Sequence, residues 1–99
     1  MTKTNIVEIL QANKSGFVQQ FHITYIGLFG SYSKDSQQAD SDVDIVYELM
    51  EGRRLGLQEV YDLEVFVKKL LNVEKVDLVN RKYMNPIIES EMEKSVIYV

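Results

Sequence analysis

The sequence predicts an α/β fold of the α+β kind, a small mixed β-sheet of three or four strands with helices packed over one face. Two observations predict it. Apolar residues recur at helical spacing in three segments, and three short runs between or after them have the composition of strands. The predicted order is α-β-(short α)-β-α-β-α, an α/β sandwich. We expect residues 1–99 to form a single domain, because a chain of 99 residues leaves no room for a second.

The N-terminal half of the chain predicts a helix, a strand and a polar loop. The helix is expected from about Thr4 to Gln20, and Gly16 weakens it without ending it. Residues Ile23 to Phe29 are rich in β-branched and aromatic side chains, which is typical of a strand. The pair Gly30-Ser31 breaks this strand, and residues 32–41 are predicted to form one short helical turn and a loop.

The second strand is predicted from Asp42 to Leu49, because its residues alternate in polarity. One face is expected in the core and carries Val43, Ile45, Tyr47 and Leu49; the other carries Asp42, Asp44, Val46 and Glu48. A turn at residues 51–54 follows, and then a long helix marked by apolar residues from Leu57 to Leu71.

The third strand is predicted from Lys75 to Val79, and Pro86 is expected in the first turn of a last helix. That helix carries Ile87, Ile88 and Met92. His22 is expected near the end of the first helix, where a partial positive charge is favourable, and we assign it no catalytic role.

Composition excludes several classes of function. The chain contains no cysteine, so disulfides, zinc–thiolate sites and thiol catalysis are excluded. Its net charge of −4 argues against a surface that binds nucleic acid directly. No signal peptide or transmembrane stretch is visible, so we expect a cytoplasmic protein without a membrane partner. The glycine patterns of P-loop and Rossmann nucleotide-binding proteins are also absent.

Two carboxylates on the second strand are the first candidate for chemistry. Asp42 and Asp44 are two residues apart, so they project from the same face, roughly 6–7 Å apart along the strand. Two acids that point the same way repel each other unless cations lie between them. Magnesium takes oxygen ligands and shares them with substrate phosphates. If the third strand lies beside the second, Asp77 can complete a site for two magnesium ions.

The segment that follows the first strand is a candidate phosphate-binding loop. Gly30 lets a ligand approach the backbone closely, and exposed amides at the start of a helical turn attract phosphate. The hydroxyl group of Ser31 can bind a β- or γ-phosphate, and Lys34 can add a positive charge one turn later.

Three motifs resemble the minimal nucleotidyltransferases of the DNA polymerase β superfamily. They are Gly-Leu-Phe-Gly-Ser-Tyr-Ser-Lys-Asp at 27–35, Asp-Ser-Asp-Val-Asp-Ile-Val at 40–46 and Lys-Val-Asp-Leu-Val at 75–79, and the similarity extends to Ile-Tyr at 97–98. The resemblance implies a polymerase-β-like nucleotidyltransferase core with ATP as substrate. It assigns catalysis and metal binding to Asp42, Asp44 and Asp77, and phosphate binding to Gly30 and Ser31.

The resemblance also implies a protein partner. Members of this family often pair with a HEPN-type toxin, which is an RNase, and neutralise it by transferring AMP from ATP to a tyrosine of the toxin. We therefore expect a toxin partner, and a homo- or hetero-oligomer is compatible with that role. The family commonly has Ala-Arg-Gly where this chain has Ser33, Lys34 and Asp35. Lysine keeps the positive charge but lacks the forked geometry of arginine.

Two alternative functions stay open at this point. One is a catalytically inactive antitoxin that acts by binding alone. The other is a nucleotidyltransferase that modifies a small molecule such as an antibiotic. Those enzymes usually carry an extra domain that holds the acceptor, which this sequence lacks. The base preference, the acceptor residue and the number of nucleotides transferred do not follow from the sequence.

Overall fold

The computed structural model describes residues 1–99 and contains four α-helices and four β-strands. The helices are α1 (Lys3–Ala12), α2 (Lys14–Phe21), α3 (Leu57–Leu71) and α4 (Pro86–Glu93). The strands are β1 (Ile23–Phe29), β2 (Val43–Leu49), β3 (Val76–Asn80) and β4 (Ile97–Tyr98), and a short 3₁₀ turn at Arg81–Tyr83 follows β3. No helix combines the length and the apolar character needed to cross a membrane.

The four strands form one mixed sheet in the order β3-β2-β1-β4. Strand β1 pairs antiparallel with both β2 and β4, whereas β2 pairs parallel with β3. The parallel pair needs a crossover, and α3 supplies it. The predicted mixed sheet is confirmed, and the short β4 at its edge is the fourth strand.

The predicted N-terminal helix is two helices, which is a correction. The break lies at Asn13 (φ −107°, ψ 12°) and not at Gly16. The side-chain amide of Asn13 donates a hydrogen bond of 2.8 Å to the carbonyl of Ile9. Asparagine side chains compete in this way with the backbone for hydrogen bonds and favour helix ends. Helix α2 then ends at His22, which has the left-handed conformation (φ 56°) that ends many helices.

The hydrophobic core lies between one face of the sheet and helices α1, α2 and α3. The predicted core face of β2 is confirmed, since Val43, Ile45 and Tyr47 are buried there. The helices contribute Ile6, Leu10, Phe17, Phe21, Leu63, Val67 and Leu71. At the beginning of α3, by contrast, Leu57 is almost fully exposed. The helical spacing of apolar residues therefore identified the buried side of α3 correctly from Leu63 onward, but not at Leu57.

The opposite face of the sheet is tied to α4 by the side chain of Arg81. Its guanidinium group lies 3.4 Å from the carboxylate of Glu89, forms an ion pair with Glu93, and donates a hydrogen bond of 2.9 Å to the hydroxyl group of Tyr98. Glu48 of β2 lies 3.8 Å from the same group. Helix α4 begins as predicted at Pro86, but it buries Met92 and leaves Ile87 and Ile88 exposed.

The close packing of β4 on Gly27 gives a prediction for the fold. A Cβ atom at Gly27 would lie 2.9 Å from Tyr98 Cδ1 and 3.0 Å from the carbonyl oxygen of Ile97. We therefore expect Gly27→Ala to lower the free energy of unfolding by about 1–3 kcal/mol, measured by urea denaturation.

Gly16 provides the matched control for this substitution. A Cβ atom there would make an ordinary contact of 3.4 Å with Phe66. Gly16→Ala should raise the free energy of unfolding by up to about 1 kcal/mol, because alanine favours the helix. Equal effects at both positions would contradict tight packing of β4 on Gly27.

Candidate active site

Asp44 and Asp77 are direct neighbours on the sheet. In the parallel pairing of β2 with β3 the two residues are register partners, so their Cα atoms lie about 5 Å apart. Asp44 is half-buried and Asp77 is exposed. The sequence analysis predicted that Asp77 can complete the site if the third strand lies beside the second. In the sheet, β3 does lie beside β2.

Asp42 lies just before β2 and is exposed to solvent. No three acidic or histidine side chains stand close enough together to share a metal ion. The three aspartates nevertheless interact electrostatically, since both Asp77 and Asp42 act on the ionisation of Asp44. The donors are carboxylate oxygens, the ligand type that magnesium prefers.

The ionisation of Asp44 is strongly perturbed. The pKa of Asp44 is raised from 3.8 to about 6, first by burial and then by the negative charges of Asp77 and Asp42. Both effects disfavour the charged carboxylate, as expected for a desolvated acid among like charges. Perturbed acids of this kind occur often at functional sites. A cation beside Asp44 would oppose both effects.

Gly30 joins the candidate phosphate loop to the acids. Strand β1 ends at Phe29, which pairs with Asp44, so the next residue lies against the Asp44 side chain. A Cβ atom at Gly30 would lie 3.0 Å from Asp44 Cγ and closer still to Oδ2. Gly30 also has a φ of 76°, which glycine adopts without steric cost. Only glycine fits this position while Asp44 keeps its place.

The loop after Gly30 is a series of turns that contains a single hydrogen bond of the α-helical kind. The amide of Lys34 donates to the carbonyl of Gly30 at 3.2 Å, and the amide of Ser36 donates to Ser31 at 2.9 Å. The predicted short helical turn is therefore present, but it does not continue as a helix. The Ser31 hydroxyl group forms no hydrogen bond within the chain, so it is available to a ligand.

Ser33 has a positioning role that the sequence reading missed. It is buried, with 8% exposure, and its hydroxyl group donates a hydrogen bond of 2.9 Å to the carbonyl of Gly30. This bond holds the turn closed behind Gly30. The sequence does contain a pattern that could have predicted this role, namely a serine three residues after a glycine in a turn. Serine side chains commonly form hydrogen bonds with nearby backbone groups in turns.

The two charged residues of the loop differ in their surroundings. Lys34 is exposed and takes part in no ion pair, so its ammonium group is free to reach a ligand. Asp35 points away, toward α1, where its carboxylate lies 3.1 Å from the ammonium group of Lys3. The negative charge of Asp35 is therefore partly balanced by Lys3.

Comparison with known proteins places the chain in a family. Residues 6–99 match the family described as "Nucleotidyltransferase domain". The chain belongs to this family. A relative from Methanocaldococcus jannaschii, provisionally named a protein adenylyltransferase, is 34% identical over 99 residues, which cover 99% of this chain and 98% of the relative. The protein adenylyltransferase MntA of Thermococcus cleftensis is 33% identical, with 100% and 97% covered.

Solved structures share the fold. A protein provisionally described as a minimal nucleotidyltransferase superposes with a TM-score of 0.78 at 24% identity, covering 98% of this chain and 95% of that one. A complex of the tri-AMPylated HEPN toxin of Shewanella oneidensis with its MNT antitoxin gives a TM-score of 0.59 at 21% identity, covering 97% of this chain and 66% of the matched one. The fold predicted from the sequence is confirmed.

The contact between Gly30 and Asp44 gives a prediction that uses a second glycine as its control. Gly30 and Gly52 both have positive φ, but a Cβ atom at Gly52 would meet nothing within 4 Å. Alanine at either position should cost about 1–2 kcal/mol of unfolding free energy for the backbone alone. We expect Gly30→Ala to cost at least about 1 kcal/mol more than Gly52→Ala, because the methyl group displaces Asp44.

A double-mutant cycle tests the cause of this difference. With Asp44→Ala as background, the extra loss at Gly30 should disappear, because the displaced carboxylate is gone. An unchanged loss in that background would show that Asp44 does not make the contact.

The raised pKa of Asp44 gives a prediction for stability against pH. The folded chain binds more protons than the unfolded chain between pH values of about 4 and 6, so the free energy of unfolding falls as pH rises through that interval. In chelator at about pH 7, Asp44→Asn should therefore melt above the wild type, and the gain should vanish near pH 4. The control is Asp40→Asn, because Asp40 is an exposed acid without an ion pair. This substitution should change the melting temperature neither at pH 7 nor at pH 4. A lower melting temperature for Asp44→Asn at pH 7 would mean that the carboxylate holds the fold together.

Proposed function

We propose that this chain is a protein adenylyltransferase, an antitoxin that transfers AMP from ATP to a tyrosine of a HEPN-type toxin and thereby neutralises it. The single observation that carries the proposal is the contact of the Gly30 backbone with the Asp44 side chain. Because of this contact, the phosphate loop and the acids form one site rather than two separate features.

In this proposal, Asp42, Asp44 and Asp77 would hold magnesium. Their donor type and their mutual repulsion support this assignment. Because Gly30 has no Cβ atom, the Asp44 carboxylate can lie directly against the backbone of the loop. Magnesium held by these residues would neutralise the carboxylates, favour binding of a triphosphate beside them and withdraw charge from the reacting phosphorus.

The residues of the loop would hold the triphosphate. The backbone at Gly30 lets phosphate approach, the free hydroxyl group of Ser31 donates to a β- or γ-phosphate oxygen, and Lys34 adds a positive charge. With the triphosphate held, the tyrosine oxygen of the toxin attacks the α-phosphorus. The bond from that phosphorus to the oxygen leading to the β-phosphate breaks, pyrophosphate leaves, and the phenolic proton passes to water.

Relatives of matching length support a protein acceptor. The two curated relatives above are named as protein adenylyltransferases, and this chain spans 97% or more of each. The solved complex supports the class of partner, since its antitoxin is bound to a HEPN toxin that carries AMP. A small-molecule acceptor is the weaker hypothesis, because no feature of the site favours it.

The test is label transfer to a HEPN-type toxin from the same genome. With magnesium and ATP, label from the α-phosphate should appear on the toxin, and label from the γ-phosphate should not. Asp44→Asn should lower the transfer rate roughly a hundredfold or more while the complex still forms on size-exclusion chromatography. Asp40→Asn is again the control and should transfer at the wild-type rate.

Two results would overturn the proposal. Transfer of the γ-label would make the protein a kinase. Neutralisation of the toxin by Asp44→Asn without any transfer of label would make it an antitoxin that acts by binding alone.

A further inference from the structure

A cavity lies at the end of β2 that is farthest from the aspartates. It has a volume of about 510 Å³ and is bounded by the end of β2, the loop that follows it, the beginning of α3 and the 3₁₀ turn after β3. Cavities of 300–1,000 Å³ commonly hold small organic ligands. Tyr47 in its wall follows Asp44 by three residues, so their Cα atoms are about 10 Å apart, and it projects from the opposite face of the sheet.

Positive charge is concentrated at this cavity. Arg53, Arg54 and Lys82 line it, and none of the three takes part in an ion pair. Of the two acids in the lining, Glu48 already contacts Arg81 at 3.8 Å, which leaves Glu51. The lining therefore has three positively charged side chains without an ion pair and one such acid, although the net charge of the whole chain is −4. Such a group attracts an anion, and arginine in particular binds phosphate with two parallel hydrogen bonds.

The loop that carries the arginines has a defined conformation. The amide of Met50 donates a hydrogen bond of 2.8 Å to the carbonyl of His22, and the amide of Arg53 donates one of 3.0 Å to the carbonyl of Met50. Gly52 has the positive φ of 80° that this turn requires. The turn therefore holds the Arg53 backbone at the rim of the cavity.

Tyr47 supplies the second, independent observation. Only 5% of this residue is exposed, it lines the cavity, and its hydroxyl group forms no hydrogen bond within the chain. A phenol hydroxyl group without a partner in the chain can donate a hydrogen bond to a ligand in the cavity. Burial raises the pKa of Tyr47, with Tyr83 adding to the increase, so the phenol keeps its proton and can donate it in a hydrogen bond.

The remaining walls suit an aromatic body. Leu49, Leu55 and Val60 are apolar, and Tyr83, which also lines the cavity, is 68% exposed. The ammonium group of Lys82 lies 5.8 Å from the centre of that ring. An exposed aromatic ring beside cations can stack on a nucleobase while the cations hold its phosphate.

We propose that this cavity is a second ligand site that binds a phosphorylated aromatic small molecule of the nucleoside monophosphate class, held by Arg53 and Arg54 at the phosphate and by Tyr47 inside. It is separate from the aspartates and does not depend on the transfer reaction.

The experiment is a titration of the ¹⁵N-labelled chain with AMP, followed by NMR in chelator so that binding through divalent metal ions is removed. The amides of residues 50–55 and 80–83 should shift, whereas those of residues 30–34 and 42–44 should not. Inorganic phosphate should bind more weakly than AMP, and adenosine more weakly still. Equal affinity for phosphate and AMP would overturn the aromatic part of the proposal, and equal affinity for adenosine and AMP would overturn the anionic part.

Variants assign the binding to individual groups. Arg53→Gln combined with Arg54→Gln should weaken AMP at least about tenfold, because charge-assisted hydrogen bonds are lost. Tyr47→Phe should weaken it about fivefold, the effect of one neutral hydrogen bond, and it removes no bond that holds the fold. The control is Lys14→Gln combined with Lys69→Gln, which removes the same charge from exposed positions outside the cavity.

Three outcomes would overturn the site itself. They are shifts confined to residues 30–34 and 42–44, no shift at AMP concentrations up to ~10 mM, and unchanged affinity in the double arginine variant. A failed label-transfer experiment would leave this site untouched, because the titration contains neither toxin nor magnesium.

Discussion

Strand β2 pairs with β1 on one side and with β3 on the other, and the register of both pairings fixes the core and the site together. Because side chains alternate along a strand, Val43, Ile45 and Tyr47 can face the helices only if Asp44 faces away from them. A slip of one residue would bury Asp44 in the core and expose the apolar set. Burial of the apolar side chains therefore also sets Asp44 beside Asp77 and against Gly30.

The cost of this arrangement is electrostatic. Three carboxylates lie near one end of the sheet, and burial combines with their repulsion to raise the pKa of Asp44 to about 6. Such a group lowers the free energy of unfolding at neutral pH, because the fold disfavours its charged form. Functional sites commonly contain groups that the fold would be more stable without. The Lys3–Asp35 pair and the Ser33–Gly30 bond hold the loop beside these acids.

The net charge of −4 conceals a separation of charge across the molecule. The acids lie where β2 and β3 begin, whereas Arg53, Arg54 and Lys82 lie where these strands end. Arg81 lies next to the second group in sequence, but four partners engage it, namely Glu48, Glu89, Glu93 and Tyr98. It therefore fastens α4 to the sheet instead of attracting a ligand. The sequence alone could not distinguish these roles. It shows that Arg53, Arg54 and Arg81 are all positively charged, but it does not show that only Arg81 has four partners.

The sequence by itself determined strands β1, β2 and β3, helix α3, the alternation of β2 and Asp44 on its polar face, because period and residue type are local properties. It also predicted Gly30 as the point where the backbone opens to a ligand. The sequence did not predict the break at Asn13, because the helical spacing of apolar residues continues across it. The break arises where the Asn13 side chain competes with the backbone for the carbonyl of Ile9. Only the tertiary structure decided that Asp77 aligns with Asp44, that Gly30 lies against that carboxylate, and that Tyr47 opens into a cationic cavity. Each of these contacts joins residues from different elements, and pairing and packing of those elements bring them together.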